Sequence, residues 1–411
     1  MCIRDRSILS ETLDSMGAVY NAYTNYDVTS YHIKVQKVYA QKAIDILCQM
    51  VSESFFRPKN VESEKKVVVE ELRRLRDDPS SYVQELFASI VFQGSPYGLS
   101  IGGTEKSVMD IDSERLKKFW RERYILPNML ISVSGNMDIE NLKQSLQLSP
   151  IFTATAKKGI IDKYDKPLPL QKEPRLKVQV RKNTKQVQVQ LGFPTQGLNH
   201  QGRFALRLAK VILGGNMSSR IFKSLLDQFG LAYSPSAQVS LYETMGEFSI
   251  CSGVDGSNIF SDNLDTSKGK ADPLAVILPE FFELRMEKIP ENELHKAKEY
   301  VKGNILLEME NNQRIAEYYG RLFLLDRPVF TVERFIEEIE KGEVAEARHP
   351  HVAADEDPDR VVHLGGVRVV VEQEHELHPA LPLLGLVALQ PRDAAAARPA
   401  ARHSVNTLIF V

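Results

Sequence analysis

The strongest constraint on the fold is a pair of alternating segments near the start of the chain. Residues 18–24 and 28–36 are rich in β-branched and aromatic side chains, and a helical pattern over about 39–53 follows them. Such runs predict two neighbouring strands, the first of which contains Asn21-Ala-Tyr-Thr24. Strands mixed with helices in this way predict a layered α+β fold.

A second informative segment is Glu64-Lys-Lys-Val-Val-Val-Glu-Glu71, which falls in a predicted helix over about 60–77. Glu64 and Glu71 are seven residues apart, so they lie two turns apart on nearly the same face. A buried carboxylate is costly unless it is paired or binds a metal, and the intervening valines favour burial. The simpler interpretation makes Glu71 a surface acid beside Arg73 and Arg74.

Composition limits the class of protein. The chain has 411 residues, enough for two or three domains, with 43% hydrophobic and 26% charged residues. A net charge of −2 gives no reason to expect a nucleic acid or an anionic membrane as partner. No apolar run is long enough to span a bilayer and the first residues lack the apolar core of a signal peptide, so a cytoplasmic location is expected. Three scattered cysteines argue against a disulfide scaffold, and Cys48 is expected in the core.

Patterning divides the chain into three parts, predicted as domains over 1–152 and 153–341 and an atypical tail over 342–411. In the first, further helices are predicted near 80–92, 115–124 and 138–146, with a strand near 130–134; the polar connection Thr153 to Pro174 follows. In the second, strands are predicted near 176–182, 186–193, 232–240 and 245–254, and helices near 201–213, 217–228 and through 273–341.

The composition changes abruptly after Lys341. The last 70 residues contain no Lys and no Tyr but hold six of the nine histidines. We expect this tail to be frameshifted or foreign and not to pack on the rest, the alternative being a genuine low-complexity extension. His375 and His378 could share a helical face, but without a third ligand they are expected to be solvated.

An ordered set of motifs resembles the M16 peptidases, the family of insulinase, pitrilysin and the mitochondrial processing peptidase. It covers roughly Ser7 to Lys341. Besides the two segments above, it comprises Gly94-Ser-Pro-Tyr-Gly98, Gly103-Thr104, Tyr124-x-x-Pro-Asn-Met129, Ser134-Gly-Asn136, Leu213-Gly-Gly-Asn-Met-Ser-Ser-Arg-Ile-Phe222, Gly230-Leu-Ala-Tyr233 and Glu293-x-x-x-Ala-Lys298.

The resemblance implies two similar layered α/β-sandwich domains, each a mixed or antiparallel sheet with helices, facing each other across a cleft. It implies a zinc metalloendopeptidase in which His-x-x-Glu-His supplies two ligands of Zn2+ and the general base. Glu71 then matches the third ligand and Glu64 a supporting carboxylate. Asn21, Ala22, Tyr23 and Thr24 match the edge strand along which a peptide or unfolded polypeptide lies as an added strand. The alternative for this strand is an ordinary one with core aromatics at Tyr20 and Tyr23.

The sequence departs from the family in the residues that bind the metal. None of the nine histidines lies in His-x-x-Glu-His or His-Glu-x-x-His. In the family the motif lies slightly more than 70 residues before the ligand Glu, so the chain is expected to begin inside a domain. A divergent member that lost the motif is the alternative. We therefore expect no bound zinc and no cleavage by the chain as written.

The second half departs from the family as well. Many members carry an Arg seven residues before the Tyr that corresponds to Tyr233, and the two contact substrate; here that position is Leu226, with Arg220 one and a half turns earlier. Tyr233 and Arg220 are the candidate substrate contacts. Some members work as two chains, so a homo- or heterodimer is a further expectation. A non-catalytic structural or substrate-presenting subunit is the alternative function.

Overall fold

The computed structural model describes residues 6–136, 142, 144, 146, 149, 151, 174–181, 186–256, 272–325, 331–342, 368–373 and 406–410. The helices are α1 Arg6–Ser15, α2 Ala40–Ser52, α3 Pro58–Asp77, α4 Pro79–Val91, α5 Glu105–Met109, α6 Ser113–Arg123, α7 Arg203–Gly214, α8 Arg220–Phe222, α9 Pro273–Met286, α10 Glu291–Glu308, α11 Asn312–Leu324 and α12 Val332–Lys341. The strands are β1 Val19–Thr24, β2 Val28–Lys34, β3 Met129–Ser132, β4 Leu176–Val180, β5 Gln186–Gln196, β6 Ser236–Leu241, β7 Met245–Asp255, β8 Arg368–Gln373 and β9 Asn406–Phe410.

These elements form two sheets. The first has the order β1-β2-β9-β3 and the second β4-β8-β5-β7-β6. On one face of the first sheet, Ile33 of β2 packs with Leu13 of α1 and with Ile44 and Leu47 of α2. In the second sheet alternate residues of β7 point to opposite faces, as the period of a strand requires. Phe248 and Ile250 belong to the large core under α7, α9, α10 and α12.

The order of elements repeats between the halves. A helix, a β-hairpin and three helices occur as α1-β1-β2-α2-α3-α4 and again as α7-β6-β7-α9-α10-α11, with the short α8 inserted in the second series. In each series the last helix lies on the sheet of the other half. α4 packs on β4, β8 and β5, and α11 packs on β3 and β9. The predicted α+β fold with two similar layered halves is confirmed, and the halves are joined by exchanged helices.

The two described segments of the tail lie inside the sheets. β9 pairs in parallel with β2 and β3, and β8 pairs in parallel with β4 and antiparallel with β5. The expectation that the tail does not pack on the rest is therefore wrong for these segments. The physical reason is that Arg-Val-Val-Val-Glu-Gln and Asn-Thr-Leu-Ile-Phe are short β-prone runs that can complete both ladders of an interior strand. His375 and His378 lie outside the described residues.

Most predicted elements are confirmed to within a few residues. Pro79 separates α3 from α4 as expected, and the side chain of Asp78 caps α4 by accepting from Ser81 N at 3.1 Å. The short α5, which is capped by Thr104 and Ser107, has no counterpart in the prediction. The expected helix near 138–146 and the connection Thr153 to Pro174 fall mainly outside the described residues. Cys48 is buried as predicted.

Candidate peptide-binding edge and acidic helix

β1 is an edge strand of the first sheet. It pairs antiparallel with β2 along its whole length, from Val19 opposite Lys34 to Thr24 opposite Thr29. No strand of the described chain pairs with its other side. An edge strand presents unpaired backbone N–H and C=O groups, which are the groups that a peptide needs in order to add a further strand. The predicted edge position of Asn21, Ala22, Tyr23 and Thr24 is confirmed as a structural feature.

The hairpin register shows which backbone groups face outward. Asn25 N donates to Val28 O at 2.9 Å across the turn. Hydrogen-bonded and non-hydrogen-bonded pairs alternate along an antiparallel ladder, so Tyr23 and Asn21 direct their backbone groups at β2. The intervening residues Ala22 and Thr24 direct theirs away from it. The backbone N–H and C=O of Ala22 therefore face the open side of the strand, whereas those of Asn21 are used within the hairpin.

The side chain of Asn21 blocks part of this edge. Its Oδ1 accepts the outward N–H of Ala22 at 2.8 Å. A side-chain amide in this position satisfies a donor that would otherwise be free to pair with another strand. A peptide that pairs with Ala22 has to displace this contact.

One face of the β1-β2 hairpin packs against α11. The hydroxyl of Tyr23 donates to Glu317, and the Nε2 atoms of Gln313 and His32 lie 3.0 Å apart. Burial, reinforced by Glu317, raises the pKa of Tyr23, which keeps the phenol a donor. Burial lowers the pKa of His32, and Glu317 opposes that change.

The turn of the hairpin enters the contact between the halves. Asp27 is buried and accepts from Tyr97 Oη at 3.2 Å, from Glu243 N at 3.2 Å and from an Arg321 nitrogen at 3.3 Å. Burial raises the pKa of Asp27, and these three donors oppose the rise. The three donors come from three separate segments, so one carboxylate links the turn to both halves.

Aromatic rings surround this turn. Tyr26 lies 5.4 Å from Tyr97 and 5.0 Å from Tyr242 between ring centroids, and Phe92 lies 5.7 Å from Tyr242. Glu247 of β7 acts electrostatically on this group and is 7% exposed. Burial raises the pKa of Glu247 to about 7. Neutral Glu247 is therefore the form that this apolar environment favours.

The acidic helix differs from the expectation. The buried residues of α3 are Val61, Lys65, Val69 and Leu72, whereas Glu71 is exposed and Glu64 is half-buried. At 100° per residue the two acids lie roughly a quarter turn from the centre of the buried stripe, so the predicted burial is wrong. Val67 between them is 42% exposed and gives no cover.

Neighbouring charges do not engage Glu71 either. Arg73 pairs with Glu70 at 2.7 Å and with Glu105 at 3.0 Å. Within the described part of the chain, Glu71 has neither an ion pair nor a hydrogen-bonding side chain. Glu71 is therefore an exposed acid on the helix surface, which agrees with the simpler interpretation made from the sequence.

The two candidate substrate contacts of the second half lie in different environments. Tyr233 is 74% exposed, and its N–H donates to Gly253 O at 3.1 Å. Arg220 is largely buried and makes two hydrogen bonds to Glu293, at 3.0 and 2.7 Å, and one to Glu283 at 3.4 Å. Its guanidinium is occupied by carboxylates of α9 and α10, which favours a structural role over contact with substrate.

The described residues do not form a zinc site. Tetrahedral zinc needs three or four nitrogen, sulfur or carboxylate ligands. No group of three His, Cys, Asp or Glu side chains that could hold a metal exists among the described residues. Glu71 alone is insufficient, so no catalytic step through a metal can be assigned to this chain by itself.

The sequence predicts β1 but not the residues of α11 that contact its hairpin. These are Gln313, Glu317 and Arg321, and polar residues on a helix usually mark a solvated face. Their spacing of four residues was the available signal, but nothing in the sequence shows which strand they meet.

Comparison with known proteins agrees with this architecture. Residues 4–105 match the family described as insulinase (peptidase family M16), and residues 110–301 match the peptidase M16 inactive domain. The chain is 29% identical over 331 residues to the uncharacterized zinc protease YmxG of Bacillus subtilis, covering 80% of this chain and 76% of that protein.

Solved structures share the fold. The peptidase M16 inactive domain from Pseudomonas fluorescens superimposes with a TM-score of 0.72 at 15% identity, covering 91% of this chain and 84% of the other. A chain of the Inz-5-bound complex III2 from Candida albicans has a TM-score of 0.65 at 16% identity, covering 87% of this chain and 82% of the other.

Two layered halves with exchanged helices define a two-domain α+β protein. The chain belongs to the M16 peptidase family. Within the described residues, no helix has the length and apolar character needed to cross a membrane.

Proposed function

We propose that this chain is the peptide-binding body of an M16 zinc metalloendopeptidase and binds extended polypeptide as a strand added to β1. The observation that carries the proposal is the free edge of β1, with Ala22 and Thr24 directing backbone groups outward. Main-chain pairing gives affinity for many sequences, which suits a peptidase acting on peptides or unfolded polypeptides.

The metal chemistry is proposed from the family. The relatives are named as zinc proteases, and the sequence position of Glu71 matches the third ligand. An exposed Glu71 without a competing ion pair is available to a metal once imidazole ligands are supplied, and half-buried Glu64 would support it. As written, the chain contributes one ligand, and we propose that it neither retains zinc nor cleaves peptide.

A second candidate is a non-catalytic subunit that binds or presents substrate, acting with another M16-like chain. It agrees with the fact that no histidine of the given sequence lies in His-x-x-Glu-His, whereas the carboxylates that occupy Arg220 do not favour it, because they compete with substrate for that side chain. A chain of similar fold occurs in a multi-chain complex, which supports testing for a homo- or heterodimer. Both candidates share peptide binding at β1 and differ in whether zinc and cleavage can be restored.

The test of peptide binding uses Ala22→Pro. Proline removes the outward N–H but is tolerated on an edge strand when that N–H does not serve the ladder. We expect peptide affinity, measured by fluorescence anisotropy with a labelled extended peptide, to fall about tenfold or more, because a main-chain hydrogen bond and close approach are both lost. The control is Ala22→Ser, which keeps the N–H and should bind nearly as wild type. Equal affinities of the two variants would place the peptide elsewhere.

A further inference from the structure

We propose that α11, which belongs to the second half, positions β1 for the peptide, and that Glu317 is the positioning residue acting through Tyr23. This inference rests on the proposed function for its consequence, but the contact itself is independent of any ligand. It assigns the second half a role in the binding edge of the first.

The first step is the arrangement of polar groups on α11. Gln313, Glu317 and Arg321 are spaced by four residues, so they lie on one face of the helix. Each contacts a different part of the hairpin. Gln313 contacts β2, Glu317 contacts β1 and Arg321 contacts the turn.

The second step is the need of β1 for support. Among the strands that the structure describes, it pairs with β2 alone. Tyr20 packs against the core of the first half on one face of the sheet. Tyr23, an odd number of residues away, points to the other face and reaches α11. The strand is thus clamped between the two halves by two tyrosines of opposite direction.

The third step is the strength of the clamp. Glu317 is a charged acceptor, and hydrogen bonds to charged groups contribute more than neutral ones. Arg314 lies 3.4 Å from Glu317 and forms an ion pair with it. Tyr23 stays neutral because burial raises its pKa, so the donor and acceptor roles are fixed.

The experiment compares four variants of the full chain, Glu317→Leu, Glu317→Gln, Tyr23→Phe and Ser132→Ala. Glutamine keeps an oxygen acceptor for Tyr23, and leucine does not. Ser132→Ala is the matched control, because Ser132 Oγ donates to Ala316 O at 2.8 Å and ties α11 to β3 rather than to the hairpin. The readouts are hydrogen exchange of the β1 amides under native conditions and binding of a labelled extended peptide.

We expect Glu317→Leu and Tyr23→Phe to speed exchange of the Tyr23 amide about tenfold or more and to weaken peptide binding by a similar factor. Glu317→Gln should restore most of the protection, and Ser132→Ala should leave β1 as in wild type. If Ser132→Ala loosens β1 as much as Glu317→Leu does, or if glutamine fails to rescue, α11 merely covers the sheet and the positioning role is overturned.

The two proposals fail in different ways. A wild-type chain that binds no peptide at β1 would remove the proposed function, yet the exchange of β1 amides would still decide whether Glu317 positions the strand. A chain that binds peptide with the same affinity in all four variants would keep the function and overturn the positioning role.

Discussion

Buried polar residues lie where the two halves meet, and burial raises the pKa of one of them, Glu247, to about 7. Its pKa rises from an ordinary 4.5 to about 7 because it is buried beside tyrosine rings. The folded state then holds a proton that the unfolded state has released between these two pH values. By linkage, stability is highest below about pH 4.5, falls as the pH rises to about 7, and is level above that, as far as this group is concerned.

We expect Glu247→Gln to remove this pH dependence. The amide cannot ionise, so the variant should gain up to about 3 kcal/mol over wild type at pH 8 and little at pH 5. Chemical denaturation at both pH values measures the difference. Glu11→Gln, at an exposed position on α1, is the control and should follow wild type. A Glu247→Gln curve that tracks the control would show that Glu247 is already hydrated when ionised.

A second residue-scale prediction concerns the cap on the free edge. Asn21 Oδ1 competes with a peptide carbonyl for the N–H of Ala22. Asn21→Ala should therefore speed exchange of the Ala22 amide and tighten peptide binding severalfold, since an intramolecular competitor of about 1 kcal/mol is lost. Val19→Ala, an exposed position on the same face of β1, serves as the control. Weaker binding by Asn21→Ala would instead make the amide a direct peptide contact.

At the scale of elements, periodicity is sufficient to place β1, β2 and most of the helices, although it does not find the short α5. It failed for α3, where valines beside Glu64 and Glu71 suggested burial although the buried stripe runs through Val61, Val69 and Leu72. It failed for the tail as well, since an unusual composition concealed β8 and β9. Strand pairing across hundreds of residues leaves no local trace in a single sequence.

The interior position of β9 gives the third prediction. β9 is bonded on both sides, so an N–H within it serves a ladder whichever way it points. Leu408→Pro should lower the free energy of unfolding by about 3 kcal/mol or more, measured by urea denaturation. Ala22→Pro, on the outer side of the same sheet, should cost far less. If both prolines are tolerated equally, the tail is dispensable and β9 does not hold the first sheet together.

At the scale of the whole molecule, each sheet is covered on one face by a helix that belongs to the other half. α4 covers the second sheet and α11 covers the first, and Asp27 joins both at the turn beside the binding edge. A movement of one half relative to the other should consequently change the position of β1. The proposed zinc chemistry needs two further ligands in addition to Glu71, and the described residues do not supply them.

The last prediction tests that dependence. The chain as written should retain no stoichiometric zinc after dialysis, because Glu71 is one ligand and at least three are needed. Fusing a helical segment with His-x-x-Glu-His ahead of α1 should produce binding of about one zinc per chain and chelator-sensitive cleavage of peptides. Glu71→Gln in the fusion should abolish both, whereas Glu70→Gln, an exposed neighbour paired with Arg73, should not. Zinc binding and cleavage that survive Glu71→Gln would remove Glu71 from the ligand set, and a folded fusion that binds no zinc would favour the non-catalytic subunit.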